Sequence, residues 1–220
     1  MKQLFFITLR PQGLNIYNFN RFFKSFIIII IDMAISVGID ENELVNAMQE
    51  PARSKEAFET LLHIYEKPLY WHIRKMVLNH DDANDLLQTT FLKAWKNLHN
   101  FRGDAKLSTW LYKIAVNESL NFIHKERQRN NLKTDLEDDT FLLSKLEADP
   151  YFDGDALRLE LQKAIAKLPE KQRLVFNMKY FDEMKYEEIS DILGTSVGAL
   201  KASYHHAVKK ITEAISAIEM

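Results

Sequence analysis

Apolar residues recur at helical spacing along most of the chain from about residue 54. Phe58, Leu61, Leu62, Tyr65, Leu69, His72, Ile73, Met76 and Val77 mark one long face, with a bend expected at Pro68, whose ring removes a backbone donor. Leu87, Phe91, Ala94, Trp95 and Leu98 mark a second helix over DDANDLLQTTFLKAWKNL. Asp82 stands where an N-cap is wanted, and Asp85 favours the positive end of the helix dipole. Trp110, Leu111, Ile114, Ala115 and Phe122 mark a third over LSTWLYKIAVNESLNFIHKERQR. Further on, Leu157, Leu161, Ala164, Ile165 and Leu168 form another face. Pro169 suits the first turn of the next helix, which packs through Leu174, Val175, Met178 and Phe181. Ile189, Ile192 and Leu193 give a short buried face, Gly194 fits a left-handed helix end, and Ser196 fits an N-cap. Val197, Leu200, Tyr204, Val208 and Ile211 then line the inner side of a last helix.

The breaks in this pattern divide the chain. Residues 40–50, DENELVNAMQE, read as a short helix or tether, and the folded part starts near Ser54, so a first domain spans about 51–130. Residues 131–155 form an acidic linker. From Thr134 on, Asp135, Glu137, Asp138, Asp139, Glu147, Asp149, Asp153 and Asp155 face only Lys145, with room for one short helix around Phe141 to Leu146. Its acidity serves solubility, or lets it mimic nucleic acid in a partner's basic groove. A second domain spans 156–216. The fold class is all-α: two small helical domains on an acidic linker.

Residues 1–40 depart from the rest. They are rich in Phe, Ile and Asn, and the cations Lys2, Arg10, Arg21 and Lys24 precede the run Phe26 to Ile31. A signal peptide looks partly like this. Yet Asp32 ends the run well short of the ~18 apolar residues a span wants. The preferred reading is an atypical extension, with Met33 as the native start. N-terminal sequencing that finds Met1 would overturn it.

A composition 46% hydrophobic and 27% charged is that of a globular chain, with no membrane insertion expected of the folded domains. The absence of cysteine excludes disulfides and cysteine-ligated metal, and fits a reducing cytoplasm. A net charge of −2 argues against coating DNA by bulk electrostatics, so DNA binding needs local cations or a partner's help. The six glycines form no phosphate-cradling loop, and no HExxH, Ser-His-Asp or paired-carboxylate setting stands out. The chain therefore reads as no enzyme and asks for no cofactor. His63, His72 and His80 lack metal-like spacing and read as ordinary surface or core histidines.

Three surfaces remain. The outer face of the second helix carries Asp85, Gln88, Thr89, Leu92 and Lys96, which serve as a solvated face or as a docking surface. The loop HNFRGDAK sets Phe101, Arg102, Gly103 and Lys106 close together, and Lys113, Asn117, Asn121, His124, Lys125 and Arg127 follow outside the next core face. Aromatics interleaved with cations suit single-stranded nucleic acid, since rings stack bases while cations neutralise phosphates. Trp110 and Phe122 read as core. Residues 185–211 form a helix, a Gly turn and a second helix, the helix-turn-helix pattern whose second helix enters the major groove. Its outward positions are Gly198, Ala199, Lys201, Ala202, Ser203, His205, His206 and Lys209.

DANDLLQTTFLKAW followed by FRGDAKLSTWLYKIAVN resembles region two of bacterial RNA polymerase sigma factors of the extracytoplasmic-function (ECF) group. L-P-x-K-Q-R, Y-x-E-I-x-x-I-L-G and V-G-A-L-K resemble region four, at the distance that family requires. The resemblance implies that Asp85, Gln88 and Leu92 dock core RNA polymerase. It further implies that Phe101, Arg102, Lys106, Asn117, Asn121 and Lys125 engage promoter DNA at the −10 element. Lys201, Ser203, His206 and Lys209 would read or clamp the −35 element. Relatives often carry arginine where Ser203 and His206 stand, and Lys185 replaces the usual Ser or Thr cap, at a cost of ~1 kcal/mol at most. An anti-sigma factor is a further partner that the resemblance admits. The rival reading, a free-standing helix-turn-helix regulator, explains 185–211 but leaves Asp81 to Arg129 idle.

Overall fold

The computed structural model describes residues 41–101, 103, 105–129, 140–147 and 156–217. The expected extension over 1–40, Arg102 and most of the acidic linker lie outside them. Among the described residues every regular element is helical. The first group is α1 (Glu41–Gln49), α2 (Ser54–Val77), α3 (His80–Asn97), a 3-10 turn (Leu98–Asn100) and α4 (Leu107–Arg129). A linker helix α5 (Thr140–Glu147) follows. The second group is α6 (Ala156–Ala166), α7 (Glu170–Phe176), a π-turn (Asn177–Phe181), α8 (Tyr186–Leu193) and α9 (Val197–Ser216).

In the first bundle α2 packs on both α3 and α4, and α3 on α4. Despite Pro68, α2 runs as one helix of 24 residues. A proline inside a helix costs ~3 kcal/mol or more. Leu61, Leu69 and Ile73 are fully buried, and at ~1.5–3 kcal/mol each they outweigh it. The helix ends at Leu78, which turns left-handed (φ 57°) and donates its N–H to the Arg74 carbonyl. That abrupt stop moves the start of α3 forward. Asn79, not Asp82, is the N-cap, and its side chain accepts the Asp82 N–H at 3.0 Å.

The apolar pattern starts the folded part near Ser54, but α1 belongs to the bundle. Leu44, Ala47 and Met48 are buried, the Glu41 carboxylate accepts the backbone N–H of Leu107 at the start of α4, and Gln49 Nε2 donates to the Phe101 carbonyl at 2.9 Å. Three apolar residues in one short helix are too few to declare a face. The expected linker helix is present as α5, which buries Phe141, Leu142 and Leu146. It is therefore packed, not solvated.

In the second bundle α9 packs on α6 and α7. Phe176 is fully buried and stacks between Tyr180 (centroids 5.1 Å apart) and Tyr204 (5.9 Å). The Arg173 guanidinium is buried too, and donates to the carbonyls of Ala166 and Leu168, the open end of α6. Gly194 is left-handed (φ 62°), as its place after Leu193 predicts, and Ser196 Oγ accepts the Ala199 N–H at 3.4 Å. The two bundles also touch: α8 packs on α4 and the π-turn on α2. Leu174, Val175, Met178, Ile189, Ile192 and Leu200 share one apolar core with the first bundle.

Candidate nucleic-acid interface

Positions 85, 88 and 92 fall on one side of α3, and the structure exposes all three. Leu92, which shares this side with an acid and an amide, is 60% exposed, high for a leucine. Trp95, read as core, is 42% exposed and meets Phe58 edge-on at 4.8 Å, so it bounds this face instead of filling the interior. Lys93 is drawn aside by Glu118, at 2.6 Å.

The loop before α4 is anchored by its aromatic residue. Phe101 is buried against Trp110, with centroids 5.1 Å apart, so in this conformation its ring is not offered to a base. Gly103 takes φ 77°, a conformation that strains any L side chain. Lys106 is exposed, yet its ammonium meets Glu188 Oε1 on α8 at 2.8 Å. Asn117, Asn121 and Lys125 stand four residues apart on the exposed side of α4.

On α9, Lys201, His205, His206 and Lys209 are exposed and Ser203 is half-buried. Lys201 lies over the Tyr186 ring at 5.7 Å, and Lys209 approaches Glu213 at 3.8 Å. Burial pushes the Tyr204 hydroxyl up to about 12, so it stays a neutral donor behind the exposed face.

Sequence reasoning missed the polar cluster that joins the bundles. Asp182, just past the π-turn, accepts from His72 Nδ1 at 2.6 Å and from Lys75 Nζ at 2.8 Å. Its side chain is 5% exposed, and that of His72 wholly buried. Tyr112 meets the His72 ring edge-on at 4.9 Å. Asn177 Nδ2 donates to the Lys75 carbonyl at 3.3 Å. At the far end of α4, His124 Nε2 lies 2.9 Å from Glu170 Oε2, and Arg127 lies 3.7 Å from it. No local sequence pattern marks these pairs, since each partner lies far along the chain.

The electrostatics follow from burial and pairing. Burial alone would push the Asp182 carboxyl up; Lys75 first and then His72 more than offset it and hold the group below its ordinary value. Burial also opposes ionisation of Glu188, but the Lys106 ammonium and the Lys185 N–H bring it below the ordinary range. Lys106 rises in return, chiefly through its hydrogen bond to Glu188. Tyr112 is raised well above its ordinary value, by burial first and then by Asp182. Among the described residues no group of acids and histidines could hold a metal ion, and no helix is long and apolar enough to cross a membrane.

Residues 61–129 match the Sigma-70 region 2 family and residues 158–211 the Sigma-70 region 4 family. The chain is 34% identical over 158 residues to the ECF RNA polymerase sigma factor SigW of Bacillus subtilis, covering 69% of this chain and 84% of that protein. It is 28% identical over 182 residues to the RNA polymerase sigma-H factor of Pseudomonas aeruginosa, covering 80% and 93%. Among solved structures, CnrH in complex with the cytosolic domain of CnrY superposes with a TM-score of 0.60 at 21% identity, over 80% of this chain and 97% of that one. The Bartonella quintana sigma factor RpoE, in complex with the anti-sigma factor NepR, gives 0.56 at 21% identity, over 72% and 96%.

Proposed function

Because this chain belongs to the ECF RNA polymerase sigma factors, we propose that it binds core RNA polymerase and directs promoter recognition, strand opening and initiation. The observation that carries this reading is that one chain holds both regions in order, with an exposed acid–amide–leucine face on the first and a capped helix-turn-helix in the second. Asp85, Gln88 and Leu92 dock the polymerase. Domain limits of 51–130 and 156–216, extended forward to include α1, separate the two tasks.

Promoter melting needs no covalent chemistry from this chain. Extruding a base costs a few kcal/mol, and stacking returns ~1–3 kcal/mol per base. Asn117, Asn121 and Lys125 form the exposed −10 surface, with Lys106 and Arg102 supplying cations at its head. Phe101 positions that loop through Trp110. Lys201, Ser203, His206 and Lys209 read or clamp the −35 element, while phosphate contacts set register. The chain is thus an accessory to a catalyst and no enzyme itself. It works in the cytoplasm, where a cysteine-free helical protein is at home. An anti-sigma factor is a fitting third partner, since a neighbour of the same fold is held by one.

Run-off transcription tests this directly. Core polymerase with the added chain should yield a discrete transcript from its promoter, and core alone should not. A protein that never associates with core would defeat the proposal. The free-standing regulator is not favoured, because it leaves the region 2 match unexplained.

A further inference from the structure

The outer side of α9 carries two rows at helical spacing. Lys201, His205 and Lys209 stand four residues apart in one, and Ala202, His206 and Lys210 in the other, all six exposed. Glu213 is the one acid of the helix, a turn beyond Lys209. The three lysines carry fixed charge, whereas an imidazole ordinarily changes charge near pH ~6.5. We propose that duplex DNA binding by α9 takes up protons on His205 and His206, so that its grip on phosphates is set by pH as well as by salt. The proposal rests on the sigma-factor reading for placing α9 on DNA, and adds a regulation that the reading itself does not require.

Both rings are available for this. They meet edge-on with centroids 5.9 Å apart, and among the described residues neither enters an ion pair or a hydrogen bond. The elements packed on α9 bring no carboxylate to them. On α6, Glu160 pairs with Lys163 at 3.0 Å; on α7, Glu170 faces His124 and Arg127 of α4. On α8, Glu188 takes Lys106, while Glu187 and Asp191 are exposed and pair with neither ring. In the π-turn Lys179 donates to the Met184 carbonyl. Arg158, Lys171 and Arg173 are cations, and burial keeps Tyr180 and Tyr186 neutral. A charge on His205 in the free chain therefore stands between two ammonium groups and has no acceptor. Phosphates laid along the rows reverse this. A proton from solvent goes to the unprotonated ring nitrogen, both N–H groups then donate, and charge-assisted bonds to phosphate oxygens hold it. Release of the DNA returns the proton to solvent. With a net charge of −2 the chain has no bulk attraction for DNA, so these local groups decide its grip.

Phosphate contacts are independent of sequence, so the full chain can be titrated with a mixed-sequence duplex of about 20 base pairs at fixed salt. Its affinity should rise about tenfold between about pH 8 and about pH 6, and its salt slope should steepen by about one to two units, roughly one per added phosphate contact. Calorimetry in two buffers of different ionisation heat should count between one and two protons taken up per duplex bound near pH ~6.5. H205Q/H206Q should keep wild-type helicity, since both side chains are exposed, and lose most of the pH gain and the proton uptake. H205K/H206K should bind at about pH 8 as tightly as the wild type does at about pH 6, because its charges are fixed. A wild-type affinity that ignores pH, or a full pH gain in H205Q/H206Q, would overturn the proposal. So would H205K/H206K binding no better than wild type at the higher pH. A flat titration in a chain that still supports run-off transcription would defeat the proton linkage alone. A chain that never joins core polymerase would defeat the sigma-factor reading, with the duplex titration still deciding the linkage.

Discussion

The Lys145 ammonium donates to the Asp82 carboxylate at 2.7 Å, fastening the linker helix α5 to the first turn of α3. The same ammonium lies 5.9 Å from the Phe122 ring centre and 5.7 Å from that of Phe141. Lys145→Ala removes an ion pair and these ring contacts together, about 1 kcal/mol in all. Limited proteolysis should then cut the linker faster while the melting temperature falls by a few degrees. Cleavage at the wild-type rate would mean that Phe141, Leu142 and Leu146 hold the helix unaided.

Docking to polymerase is tested by changing Asp85 and Gln88 together to alanine. Both side chains are exposed, so helicity should not change, and affinity for core should fall about tenfold or more. Leu92→Asp should do the same through the apolar centre of the patch. Wild-type affinity in both variants would place the docking face elsewhere.

Lys201→Ala with Lys209→Ala should weaken upstream DNA binding across sequences and flatten its salt dependence by one to two units of log–log slope, roughly one per lost phosphate contact. An unchanged slope would take both lysines off the phosphates.

Stability should depend on pH from two sides. Asp182 and Glu188 are held below their ordinary range, so their contribution is full above the unfolded carboxylate value and is lost as pH falls through the depressed one. Lys106 is raised, so its contribution is full below the ordinary lysine value and is lost as pH climbs through the raised one. Melting temperature against pH should show a plateau with two falling limbs, and D182N should flatten the acid limb. An acid limb identical in D182N would assign it to other carboxylates.

Phe176→Ala should cost ~3–5 kcal/mol, because the ring is fully buried between Tyr180 and Tyr204. The cooperative melt of residues 156–217 should be the part that fails. A loss under 1 kcal/mol would mean that the aromatic stack collapses into the space.

Most of the helices are legible in the chain because their faces repeat at 3.6 residues, and Gly194 and Ser196 punctuate the helix-turn-helix as their backbone needs dictate. Phe176 is not legible in this way: it ends the run Leu174, Val175, Phe176, which is buried on all sides and has no periodic face. Trp95 misleads in the opposite sense, since an aromatic on the apolar stripe can lie at its exposed edge. The site divides similarly. Asp85, Gln88, Leu92, Asn117, Asn121 and Lys125 are visible as outward positions, and the structure exposes all six. The Asp182 cluster is invisible, because His72 precedes its partner by 110 residues and no local pattern links a helix interior to a distant turn.

Glu188 divides its two oxygens. Oε1 faces Lys106, while Oε2 accepts the N–H of Lys185, which as a lysine has no side-chain acceptor of its own for the start of α8. Parting from Lys106 therefore leaves the helix start intact and breaks no backbone hydrogen bond. The start of α8 is thus secured from within the second bundle, whatever the other oxygen of Glu188 faces.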